Sequence, residues 1–255
     1  MLEGDVQLIK EGSGNPLILL HCLGVDHHFW DFAKPLTQNF TLYRYDLPGH
    51  GVSPTPHRKY TITDLADQLA AVMEKHAIPQ AHFGGISLGG LIAQDFAARY
   101  PERVDRLVLV DTTPRYTDEM RRMWAERADT ARSKGVEVMV DALLGIWFSK
   151  QALAQNYAGV RYVRETLTRC DGEAYALACE ALAAADLRAA LGSIKARTLV
   201  ICGDDDIPSF LDAARLLAGS IPDTKLEWIS GTRHASVLEK PADTIALLRS
   251  FFQMT

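Results

Sequence analysis

The chain has 255 residues, 47% hydrophobic and 23% charged, with a formal net charge of -5. This composition supplies one large core without disulfides or structural metal, and the acidic balance with scattered Lys and Arg argues against a nucleic-acid stripe or an anionic-membrane surface. No apolar run of about 18 residues occurs, and Met1 to Asp5 contain two acids and no signal-peptide core, so a cytoplasmic protein acting on small molecules is expected.

In chain order, short apolar runs rich in β-branched residues predict strands at Val6 to Ile9, Leu17 to His21 and Thr41 to Asp46. The second run leads into His21-Cys22-Leu23-Gly24 and the third into Asp46-Leu47-Pro48-Gly49-His50-Gly51, where His50 reads as a turn-stabilising residue. A helix follows over Asp64 to His76, with Leu65, Leu69, Val72 and Met73 on one face. The next strand, His82 to Ile86, runs directly into Gly85-Ile86-Ser87-Leu88-Gly89 and then a helical run from Leu91 to Ala98. A serine between glycines at a strand-to-helix turn is the pattern of a nucleophile elbow, in which a sharp turn pushes the hydroxyl clear of the backbone.

After a strand at Val104 to Val110 the rhythm changes. Residues 113–193, rich in Ala, Arg, Leu and Trp, carry helical periods with no strand between them, which predicts a helical cap inserted into a core made of residues 1–112 and 194–255. Strands resume at Thr198 to Cys202 and Leu226 to Ile229, and a helix over Ala242 to Phe252 ends the pattern. Strands alternating with helices predict an α/β fold with a mostly parallel sheet covered on both faces. Cys22, Cys170, Cys179 and Cys202 form no C-x-x-C pair and read as buried free thiols, Cys22 being the one closest to the predicted site.

A serine nucleophile needs a base, an acid that orients the base, and two donors for the oxyanion. In the chain order serine, acid, histidine, His234 follows the last strand in a polar, glycine-containing loop and is the expected base. Asp206, in Gly203-Asp204-Asp205-Asp206, is the expected acid, and Asp111 after the Val104 to Val110 strand is the alternative. The backbone N–H groups of Leu88 and Leu23 are the expected oxyanion donors. Trp147, on the apolar segment Ala142 to Phe148, is a candidate substrate wall or a cap core residue. No metal is expected, since His21, His27 and His28 have no evident carboxylate or cysteine to complete a site.

These segments together resemble the α/β-hydrolase superfamily: Asp46 to Ser53, the Gly85 elbow, Gly203-x-x-Asp206 and His234-x4-Glu239-x-Pro241, in that order. Within it the chain is most similar to 3-oxoadipate enol-lactonases, through Leu23-Gly24-Val25-Asp26, Phe29-Trp30-Asp31, Trp147-Phe148, Tyr175-Ala176 and Ala185 to Arg188. The resemblance implies hydrolysis, without a cofactor, of a small lactone from aromatic-ring degradation. Those lactonases tend to carry an Arg before the cap Trp-Phe, where this chain has Ile146, so a cation for a substrate carboxylate must come from elsewhere. Arg161 and Arg164 are candidates, a solvated position being the simpler reading, and a neutral lactone or ester is the other outcome. Alternatives on the same triad are C–C hydrolysis of a diketone and perhydrolysis; from another class, the fold could serve as a non-catalytic ligand receptor. Ala and Leu positions in the cap could serve a homodimer contact or internal packing.

Overall fold

Seven strands form one sheet in the order β1-β3-β2-β4-β5-β6-β7 in the computed structural model, which describes residues 6–253. They are β1 (Ile9–Gly12), β2 (Asn15–Leu20), β3 (Phe40–Arg44), β4 (Ala81–Ile86), β5 (Val104–Val110), β6 (Arg197–Gly203) and β7 (Thr224–Ile229). Only β1 runs antiparallel, on β3; every other pairing is parallel. The parallel strands are almost wholly apolar where both faces are covered: all six residues of β4 and the last four of β2 and of β5 are buried. The leader-free reading of Met1 to Asp5 lies outside the described residues, and among those described no helix is long and apolar enough to cross a membrane.

The first strand is displaced from its predicted position. Val6 and Leu8 pack on the core, but ladder pairing starts only at Ile9, opposite Arg44, and runs to Gly12 opposite Thr41. The strand is an edge, so its alternating half-exposed pattern is set by where it meets β3 rather than by its own apolar run.

Helices α1 (Ile62–Lys75), α2 (Leu88–Arg99), α8 (Pro208–Ser220), α9 (Ser236–Glu239) and α10 (Pro241–Gln253) belong to the strand-bearing part of the chain. A capping box starts α1: the Thr61 hydroxyl accepts from Asp64 N–H, and the Asp64 carboxylate accepts from Thr61 N–H. Between β5 and β6 come five helices, α3 (Asp118–Lys134), α4 (Val140–Trp147), α5 (Lys150–Ala154), α6 (Ala158–Arg169) and α7 (Gly172–Ala184). The buried face of α3, with Trp124, Ala128 and Ala131, packs against α7, whose Ala174, Ala178 and Ala181 allow close approach.

Because β2 to β7 are parallel, their carboxyl ends share one edge of the sheet, and the loops that leave them converge there. Ser87 follows β4, Asp111 follows β5, Asp204 to Asp206 follow β6, and His234 lies beyond β7. The turn at Ser87 is held tight by missing side chains. A Cβ on Gly85 would sit 2.3 Å from the Gly89 carbonyl oxygen, and one on Gly89 would sit 2.3 Å from that of Leu20. Gly89→Ala should therefore push α2 away from β2, at a cost of about 1–3 kcal/mol, read as a lower midpoint in urea unfolding at unchanged slope.

Candidate active site

Ser87 has φ 51° and ψ -111°, a conformation that costs a non-glycine residue about 1–3 kcal/mol. The surroundings impose it: its N–H donates to Val110 O at 3.0 Å, and its carbonyl accepts from the Thr112 hydroxyl at 2.7 Å. The side chain makes no capping bond to α2, so the hydroxyl is left free at the head of the helix.

His234 and Asp206 are brought together. His234 Nδ1 donates to Asp206 Oδ2 at 3.0 Å, and the other Asp206 oxygen accepts from Ile207 N–H at 2.7 Å. With Nδ1 committed as the donor, Nε2 is the acceptor of the neutral ring. Burial disfavours the imidazolium, but the charge and hydrogen bond of Asp206, joined by the charge of Asp111, outweigh it and hold His234 above its ordinary value. Among the described residues, the Ser87 hydroxyl makes no hydrogen bond to this ring. Catalytic contacts of this kind often tighten only when substrate is bound.

Asp111, the alternative acid, has a different place. One carboxylate oxygen accepts from Gly203 N–H at 3.0 Å, the other from the Ser236 hydroxyl at 2.6 Å and its N–H at 3.2 Å. It ties β6 to the histidine loop at Ser236. Burial first, and then the neighbouring Asp206 charge, push its carboxyl up to about 7. Of the three aspartates in a row, Asp204 accepts from Gly231 N–H, Asp205 is exposed and Asp206 alone is buried against His234.

Leu88 is the first residue of α2, so its N–H has no partner within its own helix. Leu23 lies in the loop after β2, and buried His21 sets that loop's position. His21 Nδ1 donates to Cys22 O at 2.8 Å while Nε2 accepts from Leu47 N–H at 2.9 Å, which locks the loop to the one after β3. Burial lowers the His21 value, so the ring stays neutral and keeps both bonds. His50 donates through Nδ1 to Pro48 O in its own turn, at 3.0 Å. Cys22 is buried, and burial pushes its thiol well up, so it behaves as a small hydrophobe.

Trp147 ends α4 with its ring edge-on to His234, centroids 6.1 Å apart. The histidine loop is bonded directly to that segment: Ala235 N–H donates to Trp147 O at 2.8 Å, and Arg233 donates to Gly145 O at 2.6 Å. Buried Glu239 accepts from Arg233 N–H and from both the N–H and the hydroxyl of Ser149. Sequence reasoning missed Phe210, whose ring lies tilted against His234 with centroids 4.3 Å apart, and Tyr116, which packs on Phe210 and Trp124. Phe210 sits one turn beyond the Asp206 loop, and that position was its signal; Tyr116 gave none.

Arg161 and Arg164 are exposed, with Arg161 on Asn156 O and Arg164 paired to Asp141 at 2.6 Å. They take the solvated positions. Contrary to the expectation that no carboxylate stands near them, His27 and His28 donate from Nδ1 to Asp46 and Asp31 at 2.8 and 3.1 Å, and Asp26 lies beside both. His21 is engaged elsewhere, with Cys22 and Leu47.

A family model described as alpha/beta hydrolase fold matches residues 15–241. The chain belongs to the α/β-hydrolase family. It is similar to 3-oxoadipate enol-lactonase 2 of Acinetobacter baylyi, 31% identical over 88% of this chain and 84% of that protein. It is also similar to the pimeloyl-[acyl-carrier protein] methyl ester esterase of Chromobacterium violaceum, 33% identical over 93% and 94%. Among solved structures, the enol-lactonase from Burkholderia xenovorans LB400 superposes with a TM-score of 0.93 at 30% identity, covering 98% of this chain and 96% of that one. As an α/β-hydrolase the chain is an enzyme of the hydrolase class, and its resemblance to the enol-lactonases extends over nearly all of its length.

Proposed function

We propose that this hydrolase cleaves a small lactone or carboxylic ester through an acyl-enzyme on Ser87, with His234 as base and Asp206 as its orienting acid. The observation that carries the reading is the buried Asp206–His234 hydrogen bond at the sheet edge where the strained Ser87 turn also ends. His234 Nε2 takes the Ser87 proton as Oγ attacks the carbonyl carbon. The oxyanion that forms is met by the N–H groups of Leu23 and Leu88. On collapse the leaving oxygen takes the proton back from Nε2; water then attacks the acyl group with His234 again as base, freeing the acid and restoring Ser87. In a lactone the leaving oxygen stays tethered to the acyl chain, so a single ring-opened product departs.

The enol-lactone and methyl ester named for the relatives share an acyl carbonyl as the reacting group, which supports the reading. Residues 113–193 form the lid in this reading. Ser87 and His234 are each only 6% exposed, so substrate enters by movement of the segment that carries Trp147 and Tyr116.

A 4-nitrophenyl phosphonate ester should add its phosphonyl group once per chain, and peptide mass mapping should locate it on Ser87. Hydrolysis of lactone or ester by a protein that takes no label there would overturn the assignment.

A further inference from the structure

His27 and His28 open the helical segment His27–Gln38, and Asp26 is its cap. Each of Asp26, His27 and His28 brings a ligand atom within 4.8 Å of those of the other two, and the two imidazole centroids lie 4.0 Å apart. On one tetrahedral ion with ligands at about 2.0–2.1 Å, two ligand atoms stand about 3.3 Å apart, so side-chain rotations of roughly an ångström close the set.

All three side chains are already held by a second layer of bonds. His27 donates from Nδ1 to Asp46 at 2.8 Å, and Asp46 is itself fixed by the N–H groups of His27 at 2.7 Å and Val52 at 2.9 Å. His28 donates from Nδ1 to Asp31 at 3.1 Å, and Asp31 is fixed by Lys34 at 3.1 Å and by Arg44. A neutral ring that donates from Nδ1 presents a lone pair on Nε2, and a carboxylate behind the ring is the usual support of a metal-ligating histidine. One oxygen of Asp26 accepts from the Tyr162 hydroxyl of α6 at 2.8 Å and from His28 N–H at 2.9 Å. Among the described residues the other oxygen accepts no hydrogen bond, and no Lys or Arg pairs with this carboxylate.

The three residues line a cavity of about 420 Å³ that Ser87, Asp206 and His234 do not line. Its wall carries three carboxylates, Asp26, Asp46 and Asp171, against one guanidinium, Arg169, a balance that favours a cation. The wall also includes His50, 2% exposed, which donates from Nδ1 to Pro48 O and leaves Nε2 without a partner. That unmet acceptor calls for a donor, and a water carried on a bound ion is one.

We infer that Asp26, His27 and His28 form a binding site for one divalent cation of the zinc type, with two imidazole nitrogens, one carboxylate oxygen and an open position for water. Two imidazoles select zinc and its neighbours over calcium and magnesium, which take oxygen ligands. The site is separate from the hydrolytic one, and it stands whether or not the lactone and ester reading does.

The test is calorimetric titration of the untagged full chain, freed of metal by chelator, with Zn²⁺ and in parallel with Ca²⁺. The wild type should take up one Zn²⁺ per chain and bind Ca²⁺ at least about a hundredfold more weakly. His28→Ala removes an exposed ring and should weaken Zn²⁺ binding at least about tenfold. Asp26→Asn keeps a good cap and an oxygen for Tyr162 while removing the charge, and it should weaken binding by a similar factor. Circular dichroism establishes that each variant is folded, and either one alone suffices for the comparison. Absence of a one-to-one Zn²⁺ site in the wild type, affinity unchanged in the folded variants, or Ca²⁺ binding as tight as Zn²⁺ would each overturn the inference.

Discussion

Ser87→Ala is expected to lower kcat on any accepted lactone or ester by about a millionfold, the scale of losing a serine nucleophile elsewhere, while leaving the fold nearly as stable as before. The two effects separate because the hydroxyl carries no structural bond. The contacts that hold the turn, Ser87 N–H to Val110 O and Thr112 Oγ1 to Ser87 O, belong to the backbone and survive truncation. Alanine pays the same cost for φ 51° that serine pays. Residual turnover should be independent of phosphonate treatment, since no acyl-enzyme can form. A variant within tenfold of wild type would remove Ser87 from the mechanism, and a variant that fails to fold would show that the hydroxyl has a structural role, a result that urea unfolding distinguishes directly.

Asp206→Asn should cost about 10⁴ in kcat, as removal of the orienting acid does in other triads, and it should also shift the pH profile. In the wild type His234 lies above its ordinary value, so kcat/KM should rise with pH through a point above 6.5 as the ring becomes neutral and able to accept the Ser87 proton. Without Asp206, burial outweighs the remaining charge of Asp111, and the inflection should move to lower pH even as the plateau falls. Stability has the opposite sign to activity. A group whose folded value is raised contributes stability that is fully present below its unfolded value and is lost as pH rises through the folded one. The wild type should thus lose this contribution over the same interval in which it gains activity, and Asp206→Asn should reverse the slope, because a buried ring whose folded value is lowered loses stability as pH falls and it must take up a proton. Parallel pH titrations of kcat/KM and urea midpoint measure both; an inflection that stays in place in the variant would mean that Asp206 does not set the His234 value.

Local chemistry was legible in the sequence wherever a short segment determines its own geometry. Gly85 and Gly89 around Ser87 admit only a tight strand-to-helix turn, because a Cβ at either site meets backbone oxygen. The apolar runs of β2, β4, β5 and β6 announced themselves because parallel strands are covered on both faces and need no alternation. The edge strand β1 did not, since its position comes from pairing with β3. The order of Ser87, Asp206 and His234 along the chain could likewise be read directly, as each follows a strand whose carboxyl end lies on the common edge.

What only the tertiary structure decided was the choice among equals. Asp111, Asp204, Asp205 and Asp206 are four similar carboxylates, and the register of β5 on β6 turns Asp111 to Gly203 and Ser236 while Asp206 alone meets the imidazole. Arg161 and Arg164 are two similar cations on one helix, and only the packed structure shows that the first turns to Asn156 O and the second to Asp141 on α4. Spacing along a chain encodes the turn a residue sits in and the face it occupies. Which charge meets which depends on distances across elements far apart in sequence, and those distances exist only once the sheet and the helices over its edge have packed.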